Sequence, residues 1–360
     1  MNSNHIKFIN QAHNFASRNF GSTFPNPVVG CIIAKNNKII SKGVTFKSGR
    51  PHAEEVALKK AGTKAKGASM YVTLEPCFHN SINGSCSDQI LRAGIKEIYI
   101  SSIDPDKRTN GRSIKKFRLN KITTHTGIQT NKTRELNKFF FESIKSRKPY
   151  IKVKMAISND EKIAWQDYSS KWISNSNSRI YAHKIRGKSQ AILTTAKTII
   201  KDNPRLTIRK KNKLTKHLPI IVIDRNLKIP FDAKILKERS KKRIIIFTSK
   251  KNNKMEKLKQ IGCEIEILKK NKNGMFNLNK ILHKIYKLKI SDILVEAGGI
   301  FFTNLLKDNL VDEFHLFRAK FNIGKSGKPM LVKQKLSNLN LDLITKKQFK
   351  NNFYYKYYIK

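Results

Sequence analysis

The stretch Tyr71-Val72-Thr73-Leu74-Glu75-Pro76-Cys77 carries an apolar run into an acid, a proline and a thiol. Residues 68–74 have the continuous apolar character of a buried strand. A proline ends such a strand, so Cys77 lies in a loop that leads to a predicted helix over residues 86–93, which Gly94 closes. Strand, loop and helix in this order indicate an α/β fold.

The residues before and after this stretch extend the same pattern. Apolar residues at spacings of three and four predict a helix from Ile6 to Ala16. The remaining elements of this half are predicted as strand 28–34, a turn at Asn36-Asn37, strand 38–44, helix 52–61 and strand 97–101. The polar, basic, proline-ended segment 143–149 predicts a boundary between domains 1–146 and 147–360.

The second half predicts another α/β domain. Its strands are expected at 150–157, 190–194, 219–223, 243–247, 264–268 and 292–296, and its helices at 176–186, 278–288 and 300–307. Strands that alternate with helices imply a mostly parallel sheet covered on both faces. Residues 354–358 are expected to form a closing, partly exposed strand, and residues 210–216 and 271–273 solvated loops.

Composition excludes several classes of protein. The chain has 360 residues, of which 39% are hydrophobic, enough for sizeable cores in two domains. No apolar run approaches the ~20 residues of a membrane span, and residues 1–10 lack the pattern of a secretory signal. Four cysteines exclude a disulfide scaffold and fit a reducing compartment, so we expect a cytoplasmic protein with no membrane partner.

The net charge of +49 arises from 74 Lys and Arg against 25 Asp and Glu. The basic residues are spread over the whole length, and Lys, Asn and Ile are abundant together, which indicates a compositional bias. The charge would still favour anionic substrates and nonspecific contact with polyanions. We expect no specific nucleic-acid partner, but a tRNA- or nucleic-acid-acting deaminase with a basic accessory domain is the main alternative.

Four residues predict a catalytic zinc site. One imidazole (His52) and two thiolates (Cys77 and Cys86) suit Zn²⁺ and leave its fourth position for water. Glu54 lies two residues from His52 and is placed to move protons, as in the His-x-Glu and Pro-Cys signature of nucleobase deaminases. A structural zinc module is a second alternative, against which Glu54 argues. Isolated cysteines such as Cys31 and Cys263 are expected to be core residues.

Eight residues separate Cys77 from Cys86, whereas most zinc deaminases use Cys-x-x-Cys. With this spacing, Pro25-Asn26-Pro27-Val28-Val29-Gly30, Pro51-His52-Ala53-Glu54 and the stretch ending at Cys77 resemble the bifunctional deaminase–reductases of riboflavin biosynthesis. The resemblance covers nearly the whole chain. It implies a cytidine-deaminase-like domain that binds zinc through His52, Cys77 and Cys86, with Glu54 as proton shuttle and Asn26 at the substrate.

The resemblance also implies the reaction sequence. The first domain would deaminate 2,5-diamino-6-(5-phosphoribosylamino)pyrimidin-4(3H)-one, a small phosphorylated pyrimidine. A C-terminal dihydrofolate-reductase-like domain would then reduce the ribose of the product with NADPH. A homo-oligomer is left open. The chain departs from the family at two places. Between the two cysteines, Phe78 and Ile82 replace a usual Ser and a usual Arg. In the second domain, Glu161 replaces a usual Gly.

The segment from Ile293 to Leu306 contains a buried strand, an acid, two glycines and a helix. Glycines let a phosphate approach the backbone, and a helix N-terminus offers it free N–H groups. The segment lacks the Gly-x-Gly-x-x-Gly fingerprint of a standard dinucleotide site. By the resemblance, the cofactor contacts are Ala156, Trp172, Thr198, Asp202, Gly298, Gly299 and Ile300. The substrate contacts implied in the same way are Ser170, Arg186, Leu206, Arg209 and Glu296.

Overall fold

Five strands in the N-terminal half of the chain form one sheet. The structure is a computed structural model that describes residues 3–79, 84–167, 173–210 and 213–360. The chain separates into two units, Met1–Arg147 and Lys148–Lys360. Among the described residues, no helix has the length and apolar character needed to cross a membrane.

The first unit contains six α-helices and five strands among its described residues. In chain order they are α1 (Ser3–Ser17), β1 (Gly30–Lys35), β2 (Lys38–Val44), α2 (Ala53–Ala61), β3 (Ser69–Leu74), α3 (Cys86–Arg92), β4 (Glu97–Ser102), α4 (Arg112–Leu119), β5 (Thr123–Thr126), α5 (Thr130–Leu136) and α6 (Lys138–Ser146).

The sheet of the first unit has the strand order β2-β1-β3-β4-β5. β1 runs antiparallel to β2 and β3, whereas β3, β4 and β5 are parallel. Helices approach the sheet closely at glycines. A Cβ atom on Gly43 would lie 1.9 Å from the carbonyl oxygen of Ala53, so the first turn of α2 packs directly on β2. This contact fixes the start of the helix that follows His52.

The second unit contains the remaining described elements. In chain order they are β6 (Tyr150–Ile157), β7 (Lys162–Ala164), α7 (Ser176–Gly187), β8 (Ala191–Thr195), α8 (Ala196–Asp202), β9 (Ile208–Lys210), β10 (Lys213–Lys216), β11 (Ile220–Ile223), α9 (Lys234–Lys237), β12 (Ile244–Thr248), α10 (Asn253–Gln260), β13 (Glu264–Ile267), α11 (Leu278–Lys287), β14 (Asp292–Val295), α12 (Gly299–Lys307), β15 (Glu313–Ala319), β16 (Lys328–Pro329), β17 (Leu341–Phe349) and β18 (Asn352–Ile359).

A nine-stranded sheet with the order β13-β12-β11-β8-β14-β6-β15-β18-β17 organises the second unit. The seven strands from β13 to β15 are parallel, which confirms the predicted mostly parallel α/β sheet. Residues 354–358 form a strand as predicted, and all of them except buried Tyr354 are partly exposed. This last strand of the chain, β18, pairs with both β15 and β17, and β17 is the edge strand. One prediction is wrong, because residues 210 and 213–216 lie in the paired strands β9 and β10 and not in a plain loop.

Candidate metal centre and reductase site

Three predicted zinc ligands converge in the first unit. One ligand atom of each of His52, Cys77 and Cys86 lies within 4.8 Å of the others, and His52 Nδ1 is 3.2 Å from Cys86 Sγ. His52 caps the N-terminus of α2, Cys77 follows β3, and Cys86 begins α3. The backbone N–H of Cys86 also donates to Cys77 Sγ at 3.3 Å. One imidazole and two thiols at this separation fit a single Zn²⁺ ion.

Glu75 anchors the start of the metal loop, which is the segment from Cys77 to Cys86 that carries two predicted zinc ligands. Both oxygens of the Glu75 carboxylate accept backbone N–H groups, from Asp104 at 3.2 Å, from Gly111 at 2.9 Å and from Ser113 at 3.2 Å. Ser113 Oγ donates to the carbonyl of Pro76 at 2.5 Å. The first turn of α4 therefore holds the Glu75-Pro76-Cys77 turn in place. The sequence pattern includes Glu75 but does not reveal this role.

Burial and neighbouring charges set the protonation of the site. Burial raises the pKa of the Glu54 carboxyl to about 7, because the negative charge is removed from water. Hydrogen bonding from Cys86 and His52 lowers the pKa of the Cys77 thiol and favours a thiolate. Burial alone would lower the pKa of His52, but its hydrogen bond with Cys77 and the charge of Glu54 outweigh that effect and raise it.

The other residues predicted for this unit lie as follows. Asn26 is half-buried, and its Nδ2 donates to the carbonyl of Gly49 at 3.4 Å, three residues before His52. A Cβ atom on Gly49, whose φ is +88°, would collide with the Asn26 amide. Cys31 is buried in the apolar core, as expected of a structural cysteine. Ile82 lies outside the described residues.

A buried ion cluster occupies the second unit at the end of β14. The Glu296 carboxylate accepts two hydrogen bonds from Arg186, through Nε and through Nη2 at 2.9 Å, and one from Lys154 Nζ at 3.3 Å. Arg186 Nη1 also donates to the carbonyl of Thr207 at 3.0 Å. Burial alone would raise the pKa of Glu296, but the charges of Arg186 and Lys154 hold it well below its usual range. Arg186 and Glu296, which are both predicted substrate contacts, therefore form an ion pair with each other.

Lys154 joins this cluster although the sequence reasoning did not single it out. β14 and β6 pair in parallel with Val295 opposite Val153, so Glu296 and Lys154, the next residues, are neighbours. Two lysines, Lys152 and Lys154, in a strand that is otherwise apolar are the signal that could have identified it, since an ammonium largely removed from water needs a partner.

Two other predicted substrate residues flank the cluster on the segment after α8. Leu206 is buried with a φ of +49°, a left-handed conformation that a leucine rarely adopts. Arg209 is exposed, and its backbone N–H donates to His183 Nδ1 at 3.2 Å. The side chain of Arg209 is therefore available to solvent and to a ligand.

The predicted cofactor residues that the structure describes lie near the carboxyl ends of the parallel strands. Gly298 caps α12 and is exposed, as is Ile300, whereas a Cβ atom on Gly299 would lie 2.3 Å from the carbonyl oxygen of Met330. Thr198 is half-buried in the first turn of α8, and Asp202, which ends α8, is exposed. Ala156 lies on β6 beside Phe317 of β15. The predictions for Ser170 and Trp172 fall outside the described residues.

The turn after β6 keeps a glycine-like backbone at Glu161, whose φ is +61°. The side chain compensates for this conformation through contacts with two distant elements. Arg318 Nη2 lies 3.2 Å from one carboxylate oxygen, and the backbone N–H of Leu336 donates to the other at 3.3 Å. A non-glycine residue thus occupies a left-handed position of this turn, and its side chain is bound at both carboxylate oxygens.

Comparison with known proteins gives matches over both units. Residues 2–102 match the cytidine and deoxycytidylate deaminase zinc-binding region, and residues 149–355 match the RibD C-terminal domain. The riboflavin biosynthesis protein RibD of Aquifex aeolicus is 38% identical over 350 residues, which cover 94% of this chain and 96% of that protein. These matches confirm the predicted two-domain α/β fold class.

Two solved structures are similar over almost the full length. Acinetobacter baumannii RibD, form 2, superposes with a TM-score of 0.90 at 26% identity, covering 99% of each chain. A diaminohydroxyphosphoribosylaminopyrimidine deaminase/5-amino-6-(5-phosphoribosylamino)uracil reductase from Thermotoga maritima gives a TM-score of 0.85 at 27% identity, again over 99% of each chain. None of these matches favours a nucleic-acid-acting deaminase.

Proposed function

The chain belongs to the RibD family of bifunctional deaminases and reductases of riboflavin biosynthesis, and we propose a specific substrate, cofactor and residue set for each unit. The first unit deaminates 2,5-diamino-6-(5-phosphoribosylamino)pyrimidin-4(3H)-one. The second reduces the ribose of 5-amino-6-(5-phosphoribosylamino)uracil to ribityl with NADPH. The name of the Thermotoga protein, whose structure is similar, supports both substrates.

The deamination rests on the residues around the metal centre. His52, Cys77 and Cys86 would hold Zn²⁺, which makes a water nucleophilic at neutral pH. At one carboxylate oxygen, Glu54 would take a proton from the attacking water and return a proton to the amino group, which leaves as ammonia. A pKa of about 7 lets the same carboxyl take and return a proton at neutral pH. We assign Asn26 to hydrogen-bonding an edge of the substrate, as the family resemblance implies.

The reduction rests on positioning and charge. NADPH supplies the hydride when it is bound. Arg186 and Lys154 keep Glu296 ionised at the end of β14, and the exposed guanidinium of Arg209 suits a substrate phosphate. The exposed start of α12 at Gly298 and Ile300 offers backbone N–H groups to a phosphate of the cofactor. Hydride transfer needs no nucleophile, so orientation by these residues suffices.

The convergence of buried Glu54 with the three-ligand set carries this proposal. The full chain should be given the diaminopyrimidine phosphoribosyl substrate with and without NADPH, and the products identified by mass spectrometry. We expect the deaminated aminouracil without NADPH and its ribityl form with it. Release of no ammonia by zinc-loaded protein would contradict the assignment. All four cysteines are free thiols, and we propose that the enzyme acts in the reducing cytoplasm.

A further inference from the structure

A phosphorylated pyrimidine needs a cation near the metal centre, and we infer that Arg112 binds the phosphate of the deaminase substrate. This inference rests on the proposed deamination and assigns the residue that recognises the phosphoribosyl end of its substrate. Guanidinium groups match phosphate oxygens with paired N–H donors. The question is therefore which cation of the first unit is both close to the metal loop and available.

Arg112 is attached to the metal loop through its neighbours. The backbone N–H groups of Gly111 and Ser113 bind Glu75, and Ser113 Oγ binds the carbonyl of Pro76. These contacts place the first residue of α4 beside the turn that ends at Cys77. The orientation of Arg112 thus depends on the same turn that carries a metal ligand.

Phe78 directs the Arg112 side chain toward the metal loop. The guanidinium carbon of Arg112 lies 5.9 Å from the centre of the Phe78 ring, and Phe78 directly follows Cys77. A cation above an aromatic face keeps its N–H edge available for a second partner. The stacking therefore orients the guanidinium without using its hydrogen-bonding capacity.

Two other cations near this loop already have acidic partners. Arg108 makes hydrogen bonds to both carboxylate oxygens of Asp106, with Nε at 3.0 and 3.1 Å. Lys116, which also lies over Phe78, forms an ion pair with Asp88.

Arg112 differs from these cations in lacking an acidic partner. It is exposed, and no carboxylate of the described residues lies within ion-pair distance of it. Lys107 is exposed as well, but no ring or side-chain hydrogen bond within the described ranges orients it. Of these four described cations, only Arg112 is both oriented by a ring and without an acidic partner.

The test compares phosphorylated and dephosphorylated substrate in the zinc-loaded full chain. Charge-assisted hydrogen bonds of the usual strength correspond to about a 10- to 100-fold effect. Arg112→Ala should therefore raise KM for the phosphorylated substrate by about that factor and change kcat little. Its KM for the dephosphorylated ribosylaminopyrimidine should stay within about twofold of wild type. Arg112→Lys should recover part of the loss, because it restores the charge without the paired donors.

Two matched variants and two further measurements make the result decisive. Arg118→Ala removes an exposed arginine from the same helix, and Lys107→Ala removes the rival cation, so both should leave KM unchanged. Inorganic phosphate should inhibit wild type competitively and Arg112→Ala far less, while zinc content stays the same.

Several outcomes would overturn the inference. An equal KM rise for both substrates, loss of zinc in Arg112→Ala, or a larger effect of Lys107→Ala would each do so. If wild type deaminates neither substrate, the proposed function itself fails. If wild type is active and Arg112→Ala behaves like it, only the inference about Arg112 fails.

Discussion

Replacing Glu75 with Gln should weaken both the fold of the first unit and its hold on zinc. Gln keeps one oxygen acceptor, so at most two of the three backbone hydrogen bonds survive, and they lose their charge assistance. An amide NH₂ would then face the third backbone N–H. Losing one charge-assisted hydrogen bond and weakening two others should lower the free energy of unfolding by about 3–5 kcal/mol. Part of this loss is offset because the neutral amide removes a buried negative charge, whose cost is seen in the raised pKa of Glu75. We expect a net loss of about 2–4 kcal/mol.

Thermal unfolding and a zinc-competition titration measure the two effects. For a unit of this size, that loss corresponds to a decrease in Tm of roughly 5–15 °C. Zinc affinity should fall about 10- to 100-fold, as for other residues that orient a ligand without binding the metal. The matched control is Glu135→Gln, an exposed glutamate on α5, which should change neither quantity. The reasoning is refuted if Glu75→Gln melts and binds zinc like Glu135→Gln.

Three other outcomes are expected from the first unit. Burial lowers the pKa of His13, so just below pH 6.5 the unfolded chain binds more protons than the folded chain. The free energy of unfolding therefore falls as pH drops there. In thermal melts from pH 7.5 to 5.5, the Tm of His13→Gln should fall less than that of wild type. Purified protein should hold about one zinc per chain, and elemental analysis of a double Cys77→Ala, Cys86→Ala variant should find almost none, whereas full occupancy would exclude these ligands. Gly43→Ala places a methyl group 1.9 Å from the Ala53 carbonyl, so its Tm and zinc affinity should both fall, and an unchanged melt would contradict the close packing of α2 on β2.

Two strands were predicted with their observed bounds. The prediction for residues 150–157 coincides with β6, and that for 38–44 with β2. Both strands are bounded by residues that favour turns or linkers. The helix α4 was missed because four basic residues surround its two buried apolar positions, Ile114 and Phe117.

Strand β15 was missed for a different reason. It places Glu313 and His315 in the protein interior, where His315 Nε2 lies 2.7 Å from Glu313 Oε1. A strand whose polar face is also buried shows no simple alternation of apolar and exposed positions. Only the neighbouring strands reveal that both faces are covered.

The metal site was more predictable than the reductase site because its chemistry restricts residue types. Imidazole and thiolate ligands on strand–helix connections can be recognised from spacing, and the structure brings His52, Cys77 and Cys86 together. The partnership of Lys154 with Glu296 depends on which strands are neighbours, and β6 and β14 are far apart in the sequence. Sheet order is a tertiary property that local patterns do not encode.

The most direct test of two sites on two units is a double assay of Glu54→Gln. The amide keeps the size of the side chain and should leave zinc bound, but it cannot move protons. Deamination should fall by about 10²–10⁴-fold, while reduction of separately supplied 5-amino-6-(5-phosphoribosylamino)uracil with NADPH stays near normal. The mirror variant, Arg209→Ala, should raise KM for reduction and leave deamination intact. If folded, zinc-loaded Glu54→Gln lost both activities, the assignment of the two reactions to separate sites would be contradicted.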